Sequence, residues 1–102
     1  MKISLIQLNS TIGDFKGNTD RVVAMVDRML SLFPALEKAD LVVFPELCLC
    51  GYPPMDLLDQ ESFCQGSLAA LRRLQKLLPS DLAVGVGYVD RNRNRTGKSL
   101  VN

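Results

Sequence analysis

Leu41-Val42-Val43-Phe44-Pro45-Glu46 is the stretch that decides the fold. Four consecutive apolar residues, two of them β-branched, suit a central strand buried on both faces better than a helix. Pro45 has no N–H to give a sheet ladder, so Glu46 should emerge at the strand's carboxyl end. Upstream, Val22, Val26, Met29, Leu30 and Phe33 recur at helical spacing, with Asp20, Asp27 and Arg28 among the polar positions. Asn18 or Thr19 reads as the N-cap of that helix. Pro34 should kink or interrupt it, with Ala35–Ala39 as a possible further turn. Downstream, Ser62–Leu78 forms a second amphipathic helix with Cys64, Leu68, Leu71, Leu74 and Leu78 on one face, and Pro79 stops it.

Further out lie more strands. Lys2–Leu8 carries apolar groups on both faces, as in a covered sheet. Leu82–Val89 sets Ala83, Gly85 and Gly87 opposite Val84, Val86 and Tyr88. Arg91–Gly97 is a polar turn into a strand at Lys98–Asn102. Loops at Gly13–Gly17 and Leu47–Asp59 complete the order β-α-β-α-β-turn-β. Helices alternating with strands give an α/β fold, with the last two strands as a hairpin.

Composition bounds the chemistry. At 102 residues and 47% hydrophobic, the chain has the size of one domain with an ordinary core. It has no histidine, so neither a Ser-His-Asp triad, a Cys-His dyad nor an imidazole-ligated metal can be built within it. A net charge of +1 argues against nucleic acid or an anionic membrane as partner. No apolar run approaches the ~18 residues of a membrane span, and no secretory signal opens the chain. Cys48, Cys50 and Cys64 are an odd set and read as free thiols of a reduced, cytoplasmic protein, with no metal site.

Glu46 is the leading candidate for chemistry. Open α/β sheets bind ligands at the carboxyl ends of their strands. Flanked by Phe44, Leu47 and Leu49, the carboxylate should be partly desolvated, which suits a general base. The competing reading is a solvent-facing glutamate at a strand terminus. Gly85-Val86-Gly87 lacks the third glycine and the strand-to-helix setting of a dinucleotide fingerprint; its glycines read as close packing or a bulge. Arg91, Arg93 and Arg95 read as a solvated hairpin tip, and Asp56 as a turn cap.

Phe44-Pro45-Glu46-Leu47 followed by Gly51-Tyr52-Pro53-Pro54-Met55-Asp56-Leu57-Leu58 resembles the glutamate segment of the nitrilase (carbon–nitrogen hydrolase) superfamily. The continuation is most similar to the glutaminase domain of glutamine-dependent NAD+ synthetases. Ile6-Gln7-Leu8-Asn9, Gly13-Asp14-Phe15 with Gly17-Asn18, Ala39-Asp40-Leu41-Val42-Val43 and Gly97-Lys98-Ser99-Leu100-Val101-Asn102 match the family in the same order.

The resemblance implies residues 1–102 as part of a nitrilase-type αββα sandwich, with no second domain in this chain. It implies amide hydrolysis by a Glu-Lys-Cys triad, with Glu46 as catalytic base and Tyr52 enclosing a glutamine substrate. The lysine and cysteine of the family motif fall beyond Asn102, so residues 1–102 alone should be inactive. Lys98 belongs to the strand entry, and Cys48, Cys50 and Cys64 lack the strand-to-helix setting of a nucleophile. No cofactor is expected in this chain; ATP and Mg2+ are implied for a synthetase domain outside it, and a homo-oligomer for the full-length protein. The alternatives are another carbon–nitrogen hydrolase (amidase, nitrilase or carbamoylase) and a non-catalytic α/β binding module.

Overall fold

The computed structural model describes residues 1–32, 39–91 and 100–101. Strand β1 (Ile3–Leu5), helix α1 (Phe15–Leu32), strand β2 (Leu41–Val43), helix α2 (Glu61–Leu77) and strand β3 (Ala83–Gly85) follow in that order. A short 3-10 turn at Met55–Asp59 precedes α2, and β4 (Asp90–Arg91) pairs antiparallel with β5 (Leu100–Val101). The main sheet is parallel in the order β1-β2-β3, with Val42 in register between Ser4 and Val84. β2 is therefore the central strand of the three. The hairpin's first arm is Asp90–Arg91, in a second sheet, and not the expected strand Leu82–Val89, whose residues Ala83–Gly85 pair parallel with β2. The regular strands are shorter than their apolar runs, but Ile6 N–H donates to the Val43 carbonyl and Phe44 N–H to the Gly85 carbonyl, both at 2.9 Å.

A sheet that grows in one direction through right-handed crossovers carries its helices on one face. Val42 and Phe44 accordingly pack with Val22, Val26 and Met29 of α1 and with Ala70 and Leu74 of α2. The alternate residues, Ile3, Leu5, Leu41 and Val43, point to the opposite face. Ile3 and Leu5 are 54% and 74% exposed, and Leu41 and Val43 only half-buried. The expectation of strands covered on both faces is thus corrected among the described residues: one face is covered. Open apolar surface of this kind promotes association. The chain should self-associate at high concentration, and Leu5→Lys should shift sedimentation toward the monomer; an unchanged sedimentation profile would contradict this.

Helix boundaries also differ from expectation. α1 begins at Phe15 because the Asp14 carboxylate accepts the Gly17 N–H (3.0 Å), which makes Asp14 the cap. Asn18 and Thr19 lie inside the helix, fully buried. The buried stripe of α2 is rotated from the leucine row: it holds Phe63, Cys64, Ser67, Ala70 and Leu74, while Leu68 and Leu71 are half-buried. Two contacts account for the rotation. Phe63 packs on Phe15 with ring centroids 5.2 Å apart, and the Ser67 hydroxyl accepts the Val89 N–H at 2.9 Å. Arg73 of α2 reaches Asp20 of α1 at 2.7 Å, and with Lys16 it holds the Asp20 carboxyl below its ordinary range. The Pro34 kink, Ala35–Lys38, most of the Arg91–Gly97 tip and Lys98 lie outside the described residues. Among those described, no helix is long and apolar enough to cross a membrane.

Candidate active site

At the carboxyl ends of β1 and β2 the chain forms an open cleft of about 340 Å³. Its wall on the β1 side is Gln7, Leu8, Asn9 and Ser10. Pro45, Glu46 and Cys48 supply the β2 side, and Tyr52 contributes from the loop beyond. The two residues singled out from sequence, Glu46 and Tyr52, therefore line one cavity although a tight turn separates them. Tyr52 is 63% exposed, and the Tyr52–Pro53 peptide is cis.

The turn that carries Glu46 is unusual backbone. Leu47 sits at φ 50°, a left-handed conformation that side chains other than glycine rarely adopt. The chain then folds back, Gly51 N–H donating to the Leu47 carbonyl at 2.8 Å. Gly51, at φ 88°, is a position only glycine suits: a Cβ there would lie 2.6 Å from the Ile12 Cα. This reversal sends Leu47, Cys48, Leu49 and Cys50 inward, while Glu46 stays exposed. The partial desolvation expected of Glu46 is therefore corrected for these residues. Its apolar neighbours are committed to the core, and the carboxylate faces the cleft and solvent.

Close packing holds the turn from below. The backbone of Gly87, just past β3, lies so near that a Cβ on it would meet the Leu47 nitrogen at 2.5 Å. The close-packing reading thus holds at Gly87. At Gly85 it does not, because a Cβ there would meet nothing nearer than 3.8 Å.

All three thiols are free and buried. Cys48 borders the cleft; Cys50 and Cys64 lie in a separate cluster with Leu47, Phe63 and Val89. Burial raises all three thiols, Cys50 to about 11, so the reactive thiolate is scarce at neutral pH. Because the folded Cys50 value exceeds the unfolded 9.0, its stabilising effect is complete below pH 9 and fades as pH rises toward 11. Over that interval the wild-type chain should lose about 2–3 kcal/mol more unfolding free energy than Cys50→Ala. Urea midpoints at pH 8, 10 and 11 measure the difference, and parallel loss in both chains would contradict it.

Sequence reasoning missed Ser10, which lines the cleft beside Gln7 and Asn9 and carries no motif.

Comparison with known proteins agrees with this architecture. The family model described as carbon-nitrogen hydrolase matches residues 2–102. The glutamine-dependent NAD(+) synthetase of Synechocystis is 40% identical over 87 residues, covering 85% of this chain and 15% of that protein. Among solved structures, the glutamine-dependent NAD+ synthetase of Acinetobacter baumannii superposes with a TM-score of 0.75 at 27% identity, over 91% of this chain and 16% of that one. A synthetase of the same description from Cytophaga hutchinsonii shares the fold, with a TM-score of 0.77 at 18% identity over 91% of this chain and 15% of its own. The chain thus spans about 15% of the length of the curated relatives it matches. With the parallel β-α-β-α-β frame and a glutamate at the end of its central strand, a match over residues 2–102 places this chain in the carbon–nitrogen hydrolase family.

Proposed function

We propose that residues 1–102 form the glutamate-bearing part of a glutamine-hydrolysing domain, of the kind found in glutamine-dependent NAD+ synthetases. The observation that carries this reading is the convergence of Glu46 and Tyr52 on one cleft at the carboxyl ends of the parallel strands. That location is where open α/β sheets hold ligands. Glutamine enters the cleft with its side-chain carboxamide toward Glu46, and Tyr52 encloses it.

Glu46 acts as the base. Its carboxylate takes the proton of a cysteine thiol supplied from outside residues 1–102, and the thiolate attacks the carboxamide carbon. A lysine ammonium, also from outside this stretch, offsets the oxyanion of the tetrahedral intermediate. The proton returns to the departing nitrogen, which leaves as ammonia, and water cleaves the thioester to give glutamate. No thiol within residues 1–102 fills the nucleophile's place: those of Cys50 and Cys64 sit in the core, and Cys48, also packed into the core, lies in the turn after β2 rather than at a strand-to-helix turn. Residues 1–102 alone should therefore release no glutamate. The ammonia goes to an ATP- and Mg2+-dependent amidation of deamido-NAD+ in a separate domain, in a cytoplasmic homo-oligomer.

The test is a graft: residues 1–102 replace the matching segment of the Synechocystis synthetase. The graft should make NAD+ with L-glutamine as well as with ammonium. A graft that uses ammonium at the parent's rate but not glutamine would refute the proposal.

A further inference from the structure

Three successive carbonyls of the turn after Glu46 are each held by a donor from the loop after β1 or the first turn of α1. The Ser10 hydroxyl donates to the Cys48 carbonyl (2.5 Å), Asn18 Nδ2 to the Leu49 carbonyl (3.0 Å), and Gly13 N–H to the Cys50 carbonyl (2.9 Å). Asn18 is the centre of this clamp. It is fully buried; its Nδ2 also donates to the Thr11 carbonyl (2.8 Å), and its Oδ1 accepts from Thr11 N–H and Arg21 Nη1, each at 2.9 Å. One side-chain amide thus binds the loop that leaves β1 to the turn that presents Glu46, and residues of both segments line the cleft. A helix needs no such residue at this position, since Asp14 already caps α1.

We infer that Asn18, seconded by Ser10, is a positioning residue for Glu46: it sets the spacing between the cleft walls and so the place of the carboxylate. The inference rests on the proposed function for its kinetic consequence, whereas the clamp itself is a property of the fold. A misplaced base impairs the chemical step more than it impairs substrate binding.

The experiment uses the graft described above with Asn18→Leu, Ser10→Ala and Ser10→Thr. Asn18→Leu should lower kcat with glutamine about 10- to 100-fold, with KM and ammonium-supported velocity within about threefold of the unsubstituted graft. Ser10→Ala should lose roughly 3- to 10-fold in the same pattern, and Ser10→Thr, which keeps the hydroxyl, should restore it. Parallel loss with both nitrogen sources, or no loss with either, would overturn the inference. Amide hydrogen exchange on the 102-residue chain supplies an arm independent of activity. Asn18→Leu should speed exchange of the Gly13 and Gly51 amides at least about tenfold while α2 amides keep their protection. Uniform or absent change would overturn the clamp. If Glu46→Gln left glutamine hydrolysis intact, the proposed function would fall, and the exchange data would still decide the clamp.

Discussion

Glu46→Gln in the graft should lower glutamine-dependent kcat by roughly 10²- to 10⁴-fold, the span associated with losing a general base. The substitution preserves size and shape but replaces one acceptor oxygen by an amide donor and removes the site that accepts the thiol proton. Glu46 is exposed within the cleft, and among the described residues no side-chain hydrogen bond ties it to the core. The fold should therefore survive, and ammonium-supported synthesis should stay within about twofold of the unsubstituted graft. Glu46→Asp keeps the charge but withdraws it by one methylene, and should fall between the two, since misplacement near 1 Å can cost about a hundredfold. Steady-state rates with each nitrogen source measure the split. Equal loss with glutamine and ammonium would remove Glu46 from the amide-hydrolysing half.

The second large effect is expected at Gly87. A Cβ there would lie 2.5 Å from the Leu47 nitrogen, 3.3 Å from the Leu47 Cα and 3.4 Å from the Glu46 carbonyl carbon. All three are backbone atoms of a turn already held at φ 50°, so no side-chain rotation relieves the clash. Either the end of β3 or the Glu46–Leu47 peptide must move. Gly87→Ala should cost about 1–3 kcal/mol through overpacking, which lowers the melting midpoint by roughly 5–20 °C in a domain of this size. Gly85→Ala is the matched control: its nearest contact would be 3.8 Å, and it should melt within about 2 °C of the parent. Differential scanning fluorimetry on the 102-residue chain and both variants decides the matter. Equal melting of the two variants would show that the contact is not the constraint.

Much of this was legible because the signals were local. The apolar run Leu41–Phe44, bounded by Pro45, marked a central strand, and it became the middle strand of the parallel sheet, although only the face bearing Val42 and Phe44 is buried. The place of Glu46 at the strand's carboxyl end followed from it by chain geometry, whereas its role, like that of Tyr52, rested on the resemblance to a family motif. What was not legible depends on partners distant in sequence. Ser67 belongs to the core only because the Val89 N–H, 22 residues on, requires an acceptor there. Asn18 looks like a cap until Leu49, 31 residues away, is brought beside it. The expected desolvation of Glu46 failed for a related reason. Apolar neighbours in sequence do not bury a side chain when the backbone reverses between them, and the left-handed φ at Leu47 has no sequence signal, since leucine is an unfavoured residue for it.

The most direct test of the central claim is a crystal structure of the Glu46→Gln graft soaked with L-glutamine. The expected result is the substrate in the cleft between the Gln7–Ser10 wall and the turn, its carboxamide in contact with residue 46 and Tyr52 closing over it. Glutamine bound elsewhere, with this cleft empty, would contradict the account.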